Sequence, residues 1–216
     1  MNAKAASLKD GFFLTLEGIE GAGKSSAAPV LAEYCRQQGY AVEVTREPGG
    51  GPLGEALRTI FLDDHLHLDA DEELLLLYAG RRDHWLTRIA PALAAGKVVI
   101  SDRYEDSTYA YQSGGRGVTR EHIAELARWA GITRLPDLTF WFDVPPELGA
   151  MRICARRPDR LEQEDQAFFS RARAVFAERC VAEPERILRV DATQTLPVVH
   201  ETLRIQLALR LAAHRS

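Results

Sequence analysis

Lysine is nearly missing from this chain. Lys4, Lys9, Lys24 and Lys97 are the only ones among 27 basic residues, so arginine supplies the rest. A bias toward arginine codons accounts for the total, but not for where the arginines cluster. Cysteine is scarce as well. Cys35, Cys154 and Cys180 are odd in number and far apart, which excludes a disulfide framework and a zinc pattern and fits a reducing compartment. No apolar run approaches the roughly 18 residues that a membrane span needs. The first ten residues carry no apolar signal core. These absences point to the cytoplasm and exclude a membrane partner. A net charge of −4 argues against nucleic acid as a bulk partner.

Five short apolar segments are present: Phe12–Glu17, Val42–Thr45, Val98–Asp102, Leu138–Asp143 and Ile187–Asp191. Each ends in loop signals, and helical stretches separate them. Such alternation predicts parallel strands with crossover helices, an α/β chain built as a three-layer α/β/α sandwich on a five-stranded parallel sheet. The 216 residues suit one domain spanning 1–216, with a core of 11–213 and a lid insertion at about 152–164. The longest helix is expected from Asp71 to about Ala95, with Leu74, Leu75, Leu77, Tyr78, Trp85, Ile89 and Leu93 on its apolar face. Pro91 is expected to kink or end it, and Pro29 to bend the first helix. Gln112–Gly117 reads as a flexible turn before a helix from Thr119 to Ala130, and a last helix runs from about Thr195 to Ala213. Cys35 and Cys180 read as buried small residues, and His65 and His67 as solvated.

Between the first strand and first helix lies Gly18-Ile19-Glu20-Gly21-Ala22-Gly23-Lys24-Ser25. It matches G-x-x-x-x-G-K-[ST] in the setting the chemistry requires. The glycines let successive N–H groups turn toward phosphate oxygens at a helix N-terminus. Lys24 then reaches the outer phosphates, and the Ser25 hydroxyl can ligate Mg²⁺, with Ser26 beside it. This makes the fold a phosphate-loop NTPase type that binds ATP or a similar nucleotide. Asp102 ends an apolar strand, as suits a carboxylate acting near the metal. No Asn-Lys-x-Asp guanine reader occurs, and no Asp-x-x-Gly switch follows the third strand. Arginines gather by segment: Arg46 and Arg58, then Arg81 and Arg82, then Arg103, then Arg152, Arg156, Arg157 and Arg160. Several guanidinium groups around one cleft suit a reaction that joins two polyanions.

Beyond the loop, Thr45-Arg46-Glu47-Pro48-Gly49-Gly50, Asp102-Arg103-Tyr104 continuing through Ser107, Ala110, Tyr111 and Gln112, Gly114-Gly115-Arg116-Gly117, Pro136-Asp137-Leu138-Thr139 and Asp159-Arg160-Leu161-Glu162 follow in order. With this set the chain resembles the bacterial thymidylate kinase family over nearly its whole length. The resemblance implies transfer of the γ-phosphoryl of ATP to dTMP, with Mg²⁺, in a homodimer. It implies that Lys24, Asp102, Arg103, Glu20 and the lid arginines Arg152, Arg156 and Arg160 are catalytic. Gly18 to Ser26 would hold ATP, and Ser25, Asp102 and Glu20 would serve the metal. Glu20, Arg46, Glu47, Pro48, Arg58, Arg81, Arg103, Ser107, Thr108, Tyr111 and Gln112 would contact dTMP. The chain departs from the family in two places. An aromatic residue usually stands four positions before the base-reading arginine, where this chain has Leu77 followed by Tyr78, and either could face thymine. Cys154 stands where some relatives have an arginine, which leaves open which lid guanidinium reaches the γ-phosphate.

No general base is required, because a phosphate monoester with a second pKa near ~6 is already largely ionised at neutral pH. Two rivals remain. One is a kinase for another nucleotide or for a deoxynucleoside; the latter would need a base for a 5′-hydroxyl, and Glu47 could be pressed into that role. A nucleotide sensor would bind without turnover.

Overall fold

The computed structural model describes residues 8–132, 134–153 and 160–214. Its five strands are Phe12–Glu17 (β1), Val42–Arg46 (β2), Val98–Asp102 (β3), Leu138–Asp143 (β4) and Ile187–Asp191 (β5). They form one parallel sheet in the order β2-β3-β1-β4-β5. All residues of β1 and β4 are buried, as continuous apolar runs in the middle of a parallel sheet must be. Residues alternate across β1. Phe12, Leu14 and Leu16 pack with helices Lys24–Gln37 (α1), Gln166–Ala182 (α8) and Leu196–His214 (α9). Phe13 packs on the other face with Ala70–His84 (α3) and Arg120–Trp129 (α6). The helix layers therefore follow from the two faces of one strand.

Strand order reverses at β1, since β3 lies on one side and β4 on the other. In such sheets a crevice opens beyond the carboxyl ends of the strands at this point. Leu16 pairs with Asp102 and Asp102 pairs with Arg46, so the tips of β1, β3 and β2 lie side by side at its floor.

Several local expectations need correcting. Helix α1 runs unbroken through Pro29. Pro29 itself is exposed. The long helix is three segments: α3, a π-helical turn at Trp85–Ile89, and Ala90–Ala94 (α4). Pro91 falls in the first turn of α4, where proline is tolerated. Asp69 caps α3 with a reciprocal box to Glu72. Leu75 is exposed, not part of the apolar face. Gln112 to Gly115 is not a flexible turn. It completes a π-helical stretch, Tyr109–Gly115, that continues from Glu105–Thr108 (α5). A Cβ at Gly115 would come within 2.2 Å of the Phe168 ring, and one at Gly114 within 2.8 Å of Val175. Those glycines permit close packing under α8. Cys35 is buried, Cys180 is half-buried, and His65 and His67 are exposed.

Candidate active site

The phosphate loop turns sharply between β1 and α1. Gly18, Gly21 and Gly23 all have positive φ, a region that L side chains rarely adopt. Space is short as well. A Cβ on Gly21 would lie 2.1 Å from the Gly149 carbonyl oxygen of helix Pro146–Ile153 (α7). Gly23 caps α1 without a side-chain acceptor, which leaves the first-turn N–H groups directed at the crevice. Lys24 Nζ donates to the carbonyls of Gly18 and Ile19, both at 2.9 Å. Burial lowers its pKa to about 8, and the Arg103 charge acts in the same direction. Ser25 Oγ donates to Asp102 Oδ2 at 2.7 Å. Ser26 Oγ donates to the Gly23 carbonyl.

Arg103 follows β3 with φ 72°, and no other non-glycine residue among those described has positive φ. Its Nη1 donates to the Gly18 carbonyl at 2.9 Å and to Ser107 Oγ at 3.1 Å. Its Nη2 pairs with Glu20, whose other oxygen accepts from the Tyr111 hydroxyl at 2.6 Å. Both Glu20 oxygens thus accept hydrogen bonds, one from Arg103 and one from Tyr111.

Arg81, from α3, is almost fully buried. Its Nε donates to Glu47 Oε2 at 2.8 Å, and its Nη2 donates to Thr108 Oγ1 and the Tyr104 carbonyl. Its Nη1 is buried with no hydrogen-bond partner among the described residues, yet Arg81 lines the cleft. The other Glu47 oxygen faces His84 Nδ1 at 3.0 Å. Burial works to raise the Glu47 carboxyl, but Arg81 and His84 outweigh it and hold it below the usual range. The peptide bond to Pro48 is cis. Arg58 Nη1 donates to the Pro48 carbonyl at 2.7 Å, and Arg46 pairs with Glu55.

These groups meet in one cleft of about 770 Å³. Glu20 to Ser26, Arg46, Glu47, Pro48, Arg58, Leu77, Arg81, Asp102, Arg103, Ser107, Thr108, Tyr111, Gln112 and Arg152 all line it. Gly18 and Ile19 lie behind the lining and act through their carbonyls. Of the two candidates for the base contact, Leu77 lines the cleft and Tyr78 does not. Tyr78 is buried in the core, its ring 5.0 Å from the Arg81 guanidinium. One residue of helix phase, about 100°, separates the two. Arg160 lies beside Leu161 and Glu162, which line the cleft. It is held by the Phe61 carbonyl and Glu73, at 2.9 Å and 2.7 Å, and does not line the cleft. Arg152 Nη1 donates to the carbonyls of Gly21 and Ala192, joining the phosphate loop to the tip of β5. Arg156, Arg157 and Cys154 lie outside the described residues.

Two groups of lining residues carried no sequence motif. Phe61 and Leu62 end helix Pro52–Leu62 (α2), and Ala192, Gln194, Thr195, Leu196 and Val199 follow β5. For the second group a signal existed, since ligand residues gather beyond strand C-termini.

A glycine loop from a central parallel strand, a lysine folded into it and a hydroxyl–carboxylate pair beside it define a phosphate-loop nucleotide-binding protein. Arg46, Arg58, Arg81 and Arg103 line the same cleft, as a phosphotransferase with an anionic acceptor requires. The model of the thymidylate kinase family matches residues 16–203. A thymidylate kinase from Pseudomonas syringae is 50% identical over 195 residues, which cover 89% of this chain and 93% of that protein. One from Thiobacillus denitrificans is 50% identical over 190 residues, covering 88% and 92%. The crystal structure of thymidylate kinase from Ehrlichia chaffeensis superposes with a TM-score of 0.75 at 34% identity, covering 91% of this chain and 98% of that one. The chain belongs to the thymidylate kinase family, and it is a nucleoside monophosphate kinase.

Proposed function

We propose that the cleft transfers the γ-phosphoryl of ATP to dTMP, giving dTDP and ADP for dTTP synthesis in the cytoplasm. The observation that carries this reading is the convergence of Lys24 and Arg103 on one carbonyl, Gly18, each at 2.9 Å. The cation for the transferring phosphoryl and the cation for the acceptor phosphate therefore stand together. Catalysis here is positioning and charge neutralisation. Lys24 and the loop N–H groups grip ATP. Arg103, with Glu20 and Tyr111 holding it, grips the dTMP phosphate. Arg81 Nη1 offers an unused donor to a thymine carbonyl, beside Thr108 and Gln112. Ser25 and Asp102 present hard oxygen donors of the kind Mg²⁺ prefers, and they would hold it. When bound, the metal neutralises phosphate charge. Arg152, with Arg156 of the lid segment at 152–164, supplies the remaining cations.

Glu47 does not suit a base for a 5′-hydroxyl, because both its oxygens are occupied and its carboxyl is held acidic. A coupled ADP-release assay comparing dTMP with dUMP, dCMP, dGMP, AMP and thymidine tests the reading. Preference for dTMP with no turnover of thymidine is the expected result. Transfer to thymidine, or no transfer to any acceptor, would overturn it.

Leu77 gives the base an apolar contact but no ring. Aromatic stacking on a base contributes about 1–3 kcal/mol. Leu77→Phe should therefore lower the Kd for dTMP about tenfold, as read by calorimetry, with ATP binding unchanged. A homodimer is also proposed. Leu53, Ile60, Leu75 and Leu86 are exposed on α2, α3 and the π turn that follows, and a partner copy would cover them. Leu75→Glu should shift sedimentation from dimer to monomer.

A further inference from the structure

Glu17 is the last residue of β1 and is fully buried. It does not line the cleft, so it touches neither substrate. A buried carboxylate is costly unless its oxygens are paired, and the pairing of this one is specific. Its Oε1 accepts the Tyr104 N–H at 2.8 Å, and its Oε2 accepts the Ser107 hydroxyl at 2.5 Å. Ser107 Oγ in turn accepts from Arg103 Nη1 at 3.1 Å. Both bonds made by Glu17 therefore end on the short arc that carries Arg103. That arc needs holding, because Arg103 has a left-handed backbone that an arginine does not favour on its own. The Arg103 N–H donates to the Leu16 carbonyl, and its carbonyl accepts from Ser101 Oγ, so the residue is pinned on every side. Neighbouring Asp106 is engaged elsewhere, with Arg179 and Arg186.

We propose that Glu17 is a positioning residue: through Tyr104 and Ser107 it fixes the backbone and guanidinium of Arg103 for the acceptor phosphate. This rests on the phosphate-clamp reading of Arg103 given above. A misplacement of about 1 Å in a reacting geometry can cost on the order of 10²-fold in rate. Glu17→Gln is expected to lower kcat/KM for dTMP by about 10²-fold while KM for ATP stays within about twofold. The double variant with Arg103→Lys should be no slower than Arg103→Lys alone, since both changes remove the same function. Additive losses, or equal damage to both substrates, would overturn the proposal. Ser107→Ala breaks the relay without touching the sheet, and it should reproduce the dTMP-specific loss if Glu17→Gln does not fold. A second readout is independent of turnover. In arginine-¹⁵N-labelled protein, the Arg103 side-chain N–H signals should show restricted rotation in the wild type and averaging in both variants. Loss of that difference sinks the positioning role, whereas failure of the wild type to phosphorylate dTMP sinks only the functional reading.

Discussion

Lys24→Met is expected to lower kcat by on the order of 10³, the upper range for removing one charge stabiliser, while the protein stays folded. The two halves of this expectation have separate causes. Lys24 is buried, its Nζ tied to the Gly18 and Ile19 carbonyls, and burial has already pulled its pKa to about 8. Methionine keeps the length and apolar stem of lysine and removes a charge that the interior disfavours. The Gly18 carbonyl retains its bond from Arg103. Stability should consequently change little, and the melting temperature should stay within a few degrees. The transferring phosphoryl, by contrast, loses the phosphate-loop cation, and no other lysine among the described residues lines the cleft to replace it. Steady-state turnover at saturating ATP and dTMP checks this. A loss of less than about tenfold would show that the lysine is not the main charge stabiliser.

Arg81→Leu should act the other way, on stability first. The Arg81 and Glu47 side chains are 1% and 5% exposed. Removing one partner of such a pair leaves the other charge buried, which costs about 3–5 kcal/mol. For a domain of this size each kcal/mol moves the melting temperature by about 2–4 °C, so a fall of about 10 °C is expected in a thermal scan. His84 alone cannot compensate, because its imidazole meets only one Glu47 oxygen. Adding Glu47→Leu to Arg81→Leu should restore much of the loss, since a buried ion pair replaced by apolar groups is often near neutral. Neither variant should discriminate dTMP from other monophosphates. A thermal shift of only a degree or two for Arg81→Leu would mean that Glu47 finds another partner.

The three central strands β1, β3 and β4 were readable from sequence because such strands of a parallel sheet are buried on both faces and appear as continuous apolar runs, whereas the edge strands β2 and β5 are only partly buried. The phosphate loop was readable because all its chemistry lies within eight consecutive positions. What stayed hidden depends on distance or phase. Leu77 and Tyr78 differ by one helical step, and only the packing of α3 on Phe13 decides which of them enters the core. Arg160 looks like any lid arginine until the fold brings Glu73, 87 positions away, against it. Glu73 also accepts from Gln112 and Arg116, a junction of three segments with no local motif. The π turns follow from tertiary packing, and the glycines after Gln112 read as freedom when they are in fact clearance for α8. Glu17 stood in plain view beside the loop, but a strand-end acid carries no signal until the arc from Tyr104 to Ser107 folds over it.

The sheet order has a consequence for how the protein is made. β1 pairs only with β3 and β4, so its first partner begins at Val98. At a synthesis rate of about 5–20 residues per second, Phe12 leaves the ribosome about 4–17 s before Val98 does. During that interval the strand that will present the phosphate loop has no neighbour to pair with. A nascent chain that ends before residue 98 cannot begin the sheet at its centre, so through the first stretch of translation the apolar strand Phe12–Glu17 stays without the neighbours that bury it.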